Sequence, residues 1–98
     1  MAYRESVTHD LENYANILKA IAHPLRIAII ELLDEKEGMS VTGIYEKLGI
    51  EQAVASHHLG ILKNKGVLVS SRAGKNMIYQ LRHKQISQVM RSLEKFVD

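Results

Sequence analysis

SVTGIYEKLGIEQAVASHHLGILKNKGVL, residues 40–68, is the stretch that decides the fold. Ser40 or Thr42 can cap a helix running through Lys47-Leu48, and Gly49 falls where a helix end commonly needs a positive φ. Two residues later a second helical pattern begins. Helix, glycine turn and helix over Val41 to Asn64 therefore predict a helix-turn-helix, with the second helix as its outward-facing member. After Gly66 the apolar period shortens to strand-like alternation in Val67–Ser71 and Met77–Leu81, with Arg72-Ala73-Gly74-Lys75-Asn76 between them. That pattern predicts a β-hairpin closed by a short glycine-containing loop.

Upstream, Leu11, Tyr14, Ala15, Leu18, Ile21 and Ala22 recur at helical spacing after Thr8 or Asp10 as caps. His23-Pro24 interrupts this helix. Proline at a first turn loses no hydrogen bond, so Pro24 opens a second helix toward Asp34, with His23 as its cap, and Glu35-Lys36-Glu37-Gly38 ends it. Downstream, Ile86, Val89, Met90, Leu93 and Val97 form one apolar stripe of a last helix. The expectation is a mainly α fold of five helices plus a two-stranded hairpin, residues 1–98 forming a single domain. Helices 11–22 and 84–97 are expected to pair with each other and with their symmetry mates, making a homodimer.

Composition narrows the class. Apolar residues make up 46% of 98 positions but only five residues are aromatic, so the core must rest on aliphatic side chains, as packed helices allow. The absence of cysteine excludes disulfides, thiolate metal ligands and any redox switch at sulfur. The longest uninterrupted apolar run, Ile27–Ile30, is far below a membrane span, and MAYRESVTHDLENY lacks a signal-peptide core. No membrane partner is expected, and cytoplasmic residence is.

Charge is strongly polarised. Residues 1–51 carry 5 basic against 9 acidic side chains, whereas residues 52–98 carry 8 against 2. From Gln52 to Leu93 there are seven Lys or Arg and no Asp or Glu. Such a surface points to a polyanion.

Helical geometry assigns the faces of the segment 52–64. At about 100° per residue, Ala55, Leu59 and Leu62 cluster and must pack on the body, with His58 near that side as a structural residue. Ala53, His57, Gly60 and Asn64 then face outward, flanked by Ser56 and Lys63 on one edge and Val54 and Ile61 on the other. Gln52, Ser56 and His57 can hydrogen-bond base edges or phosphates, and Ala53 or Val54 can touch a thymine methyl. Arg72, Lys75 and Asn76 of the hairpin loop are expected to hold the flanking backbone, Arg72 and Lys75 by gripping phosphates or by entering the minor groove. The predicted DNA-binding set is thus Gln52, Ala53, Val54, Ser56, His57, Lys63, Arg72, Lys75 and Asn76, with double-stranded DNA as partner. Ser56 and His57 diverge by about 100° on a helix and cannot act as nucleophile and base, so no enzyme is expected.

LKAIAHPLRIAIIELL at 18–33 and SVTGIYEKLGIEQAVASHHLGILKNKGVLVSSRAGKNMIYQL at 40–81 together resemble the ArsR/SmtB-type winged helix-turn-helix repressors. The resemblance implies a homodimer, a recognition helix at 52–64, the hairpin as wing, terminal helices at the dimer interface, and repression relieved by an inducer whose identity these residues leave open. Two features depart from the family pattern. The thiolate sensors of the family need cysteines, which this chain lacks, and its metal sensors use Asp/His pairs on the last helix, which here carries no histidine. No cofactor or metal site is therefore assigned; an atypical nitrogen and oxygen site from His83 with His9, Asp10 and Glu12 is the alternative. Glu51 and Gly60 also stand where relatives often carry a small hydroxyl and a long polar residue, shifting affinity toward the wing. The alternative function is a winged-helix architectural or protein-interaction module without operator specificity.

Overall fold

Two corners, one at Pro24 and one at Gly49, organise the chain. The computed structural model describes residues 5–97, with side chains from Thr8 onward. Helix α1 spans Glu5–Ile21 and α2 spans Pro24–Lys36. Thr8 and Asp10 lie inside α1, so neither is the cap expected of it. His23 does cap α2: in extended conformation, its Nδ1 accepts the Leu25 N–H at 3.1 Å. The helix ends at Glu37, which adopts φ 56° and donates its N–H to the Leu33 carbonyl. A non-glycine residue in that region is uncommon, and Gly38 beside it, at φ 123°, completes the reversal.

The chain then forms a two-residue strand, β1 (Met39–Ser40), before α3 (Val41–Leu48). Ser40, rather than Thr42, caps α3 by accepting the Gly43 N–H at 3.0 Å. Gly49 at φ 66° stops it and leads into α4 (Gln52–Asn64). Strands β2 (Leu68–Ala73) and β3 (Asn76–Leu81) pair antiparallel, with Leu68 opposite Leu81 and Ala73 opposite Asn76. Only Gly74 and Lys75 remain between them. The five-residue loop expected at 72–76 is therefore a two-residue turn, because Arg72 and Asn76 pair within the ladder; Gly74 at φ 63° supplies the conformation the first turn position needs.

β1 adds to the far edge of β3, Met39 opposite Tyr79, giving the order β1-β3-β2. Two residues carry no period, which is why this third strand of the wing was not anticipated. The last helix, α5, covers Ile86–Leu93, followed by a 3-10 turn at Glu94–Phe96 with Val97 extended. The helix expected through residue 97 thus ends four residues early.

Ile21, Ile29, Ile30, Leu33, Ile44, Leu59, Leu62, Val67, Leu68 and Met90 form one core joining α1, α2, α3, α4, α5 and the hairpin base. Removing water from such aliphatic side chains contributes about 1.5–3 kcal/mol each, so the core fixes how α4 and the hairpin sit together. Among the described residues, no helix is long and apolar enough to cross a membrane.

Candidate nucleic-acid interface

α4 is clamped on one face and open on the other. Ala55, Leu59 and Leu62 are fully buried and His58 is 7% exposed, while Gln52, Ala53, Val54, Ser56, His57, Gly60, Lys63 and Asn64 are exposed. Adjacent histidines thus part company, as the angular argument requires. Gly60 has open space around the position of a Cβ, so nothing in the fold demands glycine there. Glu51 occupies the N-cap position in extended conformation, but its side chain makes no capping hydrogen bond. The first N–H groups of α4 are left facing outward beside a carboxylate, where a helix N-terminus would otherwise favour a phosphate.

The predicted residues fall into three groups. Gln52, Ala53, Val54, Ser56 and His57 occupy the first turn and a half of α4. Lys63 sits in its last turn, about 9 Å beyond His57 along the axis at 1.5 Å per residue. Arg72, Lys75 and Asn76 are exposed at the outer end of the hairpin. Arg72 lies opposite Met77 and, by strand alternation, shares the sheet face of Leu68, the face packed on the body; Lys75 occupies the turn itself. α4 and β2 are tied by the Val67 N–H donating to the Leu62 carbonyl at 2.9 Å.

The basic residues of the acid-free stretch also separate. Lys84 Nζ lies 3.0 Å from Glu37 Oε1, and Arg91 Nη1 lies 3.1 Å from Asp34 Oδ2. These exposed pairs contribute little stability, up to about 1 kcal/mol each, but they neutralise two of the seven cations against the end of α2. Lys63, Lys65, Arg72 and Lys75 have no carboxylate partner among the described residues. Sequence reading could not sort these groups, since the pairing acids lie 47 and 57 residues away.

Behind α4 a polar chain was also missed. Arg26 Nε donates to His58 Nδ1 at 3.1 Å and Arg26 Nη1 donates to the Ala20 carbonyl at 3.0 Å. The His23 ring lies 4.5 Å from that of His58. Burial, then the charges of His23, Arg26 and His57, hold the His58 imidazole below its usual pKa. The one available signal was the place of Arg26, two residues after Pro24 in the first turn of α2. As for metals, the described residues hold no group of three or more His, Asp and Glu side chains that could bind an ion.

Comparison with known proteins decides the family. A family model described as a helix-turn-helix domain matches residues 21–70. The chain is similar to the HTH-type transcriptional regulator NmtR of Mycobacterium tuberculosis, 36% identical over 76 residues, which are 78% of this chain and 62% of that protein. It is also similar to the biofilm growth-associated repressor of Xylella fastidiosa, 31% identical over 90 residues, covering 92% of this chain and 78% of that one. The solution structure of the homodimeric winged helix-turn-helix DNA-binding domain Mb0332 of Mycobacterium bovis, a possible ArsR-family regulator, superposes with a TM-score of 0.83. That likeness covers 100% of this chain and 90% of that one at 22% identity, and so speaks for the fold alone. The chain belongs to the ArsR/SmtB family. Members of this family are winged helix-turn-helix regulators of transcription that bind DNA, a class without catalytic activity. The chain spans 62% of the length of NmtR.

Proposed function

We infer that the protein is a homodimeric transcriptional repressor that reads a pseudo-palindromic operator with the exposed start of α4 and grips the flanking backbone with its wing. The observation that carries this reading is the carboxylate-free outer face of α4 from Gln52 to His57, built on the same core as a wing whose Arg72 and Lys75 have no acidic partner among the described residues. Gln52, Ser56 and His57 supply hydrogen-bonding groups for base edges, Ala53 and Val54 supply methyl groups for thymine, and Lys63, Arg72, Lys75 and Asn76 meet phosphates.

A homodimer is supported by the terminal helices. Leu11, Tyr14, Ile17 and Leu18 of α1 and Val89 and Leu93 of α5 are exposed, as is Phe96 beyond α5. Ile17, Val67, Ile86 and Val89 line a cavity of about 250 Å³ between the two helices. An apolar patch of this extent on a small domain is the mark of an interface, and the Mycobacterium bovis neighbour is homodimeric.

Footprinting on duplexes enriched from a random pool, with sedimentation of the free protein, tests the reading. The expected result is a protected tract with two half-sites one helical turn apart, about 10 base pairs centre to centre, bound by a dimer. Equal affinity for shuffled DNA, without a footprint, would instead favour an architectural or protein-interaction module.

A further inference from the structure

His57 and His58 are neighbours in sequence but sit in opposite surroundings. His57 stands on the exposed surface of α4, while His58 is packed behind it and joined to the body through Arg26. Arg26 in turn reaches the last turn of α1 through the Ala20 carbonyl. A single side chain therefore connects three helices, and its link to α4 has a definite proton requirement. A guanidinium has only donors, so the Arg26 Nε–H needs an unprotonated Nδ1 on His58. An imidazolium is a donor at both nitrogens and cannot accept that bond.

The surroundings offer a charged His58 nothing in compensation. His23 and Arg26 act on it from the start of α2 and His57 acts from its own helix, all three disfavouring a positive charge. α1 contributes the Ala20 carbonyl, already taken by Arg26. Among the described residues of α1, α2, α3 and β2, the elements packed against α4, no carboxylate acts on His58 to offset them, Glu46 of α3 included.

We propose that Arg26 and His58 position the reading helix from its buried side, and that protonation of His58 releases it, so that DNA binding weakens in mild acid. This rests on the DNA-binding reading above. The sign follows from linkage. Because the folded state favours neutral His58, the positioned arrangement is fully present above the ordinary histidine value near 6.5 and is lost as pH falls from there through the lowered folded value.

The test uses the full chain and a duplex enriched from a random pool at pH 7.5, with a shuffled duplex as reference. Affinity is followed by fluorescence anisotropy from pH 7.5 to 5.0 at constant ionic strength. The wild type is expected to lose affinity for the enriched duplex by roughly two- to tenfold, the worth of the one neutral hydrogen bond that protonation breaks. His58→Asn, whose Oδ1 can accept from Arg26 but cannot titrate, should bind within about threefold of wild type at pH 7.5 if that one neutral hydrogen bond is kept, and should lose the acid dependence. Wild-type affinity that is flat or rises in acid would overturn the proposal, as would an unchanged acid response in His58→Asn.

Should His58→Asn fail to fold, an NMR pH titration of the wild type decides the matter. Backbone amides of α4 should move with the His58 imidazole, and amides that stay still through that titration would sink the idea. Failure to enrich any duplex at pH 7.5 would overturn the DNA-binding reading and this proposal with it, a result distinct from binding that is merely insensitive to acid.

Discussion

The two ends of this molecule expose opposite chemistry. At one end the start of α4 and the wing turn present amide, hydroxyl, imidazole and cationic groups with no carboxylate beyond Glu51. At the other, α1 and α5 leave Leu11, Tyr14, Leu18, Val89 and Leu93 exposed, and Arg91 and Lys84 nearby are paired with Asp34 and Glu37. Water solvates the first surface at little cost. The second has an incentive to be covered, and in the homodimer proposed above a second copy of the chain would cover it with matching chemistry. Binding by the polar end should then depend on assembly at the apolar end.

The largest expected effect breaks that dependence. Leu18→Glu should give a folded monomer by sedimentation, with affinity for a two-half-site duplex reduced on the order of 100-fold because avidity is lost. Affinity for an isolated half-site should be nearly unchanged. Retained dimerisation in this variant would show that α1 is not at the interface.

Within the polar end, His57→Ala should cost about 1–3 kcal/mol on the preferred duplex and little on shuffled DNA. Lys75→Ala should weaken both alike and lower the slope of log K against log salt by about one. Lys84→Ala provides the contrast, because Lys84 is already paired with Glu37; its salt slope should match wild type. Smallest is Glu51→Ser, which introduces a capping hydroxyl and removes the carboxylate beside the open N–H groups. It should tighten binding by roughly twofold, since one exposed charge at a helix terminus is worth only a few tenths of a kcal/mol. Weaker binding would show that Glu51 itself contacts a base.

Much of this design is legible along the chain. Pro24, Gly49 and Gly74 mark their turns because each meets a backbone requirement set by adjacent residues. The buried and exposed faces of α4 follow from helical rotation, down to the divergence of His57 from His58. Boundaries were harder. α1 already includes Glu5, ahead of both expected caps, and α5 gives way to a 3-10 turn at Glu94 although the apolar spacing continues to Val97. Apolar spacing tells which side packs, and it is silent about where packing stops. β1 was invisible for a related reason: two residues become a strand only because β3 lies alongside to accept them.

The sequence by itself determined the order of the five helices and the hairpin, the outward face of α4, the basic character of the second half and the exclusion of thiol chemistry, because each depends on residue identity and spacing within one element. Only the tertiary structure decided which cations are neutralised, that Arg26 joins α4 to two other helices, and that the wing carries a third strand. The Arg26–His58, Lys84–Glu37 and Arg91–Asp34 links join groups 32 to 57 residues apart within about 3 Å, and β1 meets β3 across a similar separation. Such meetings are produced by the packing of the common core, and no local pattern encodes them.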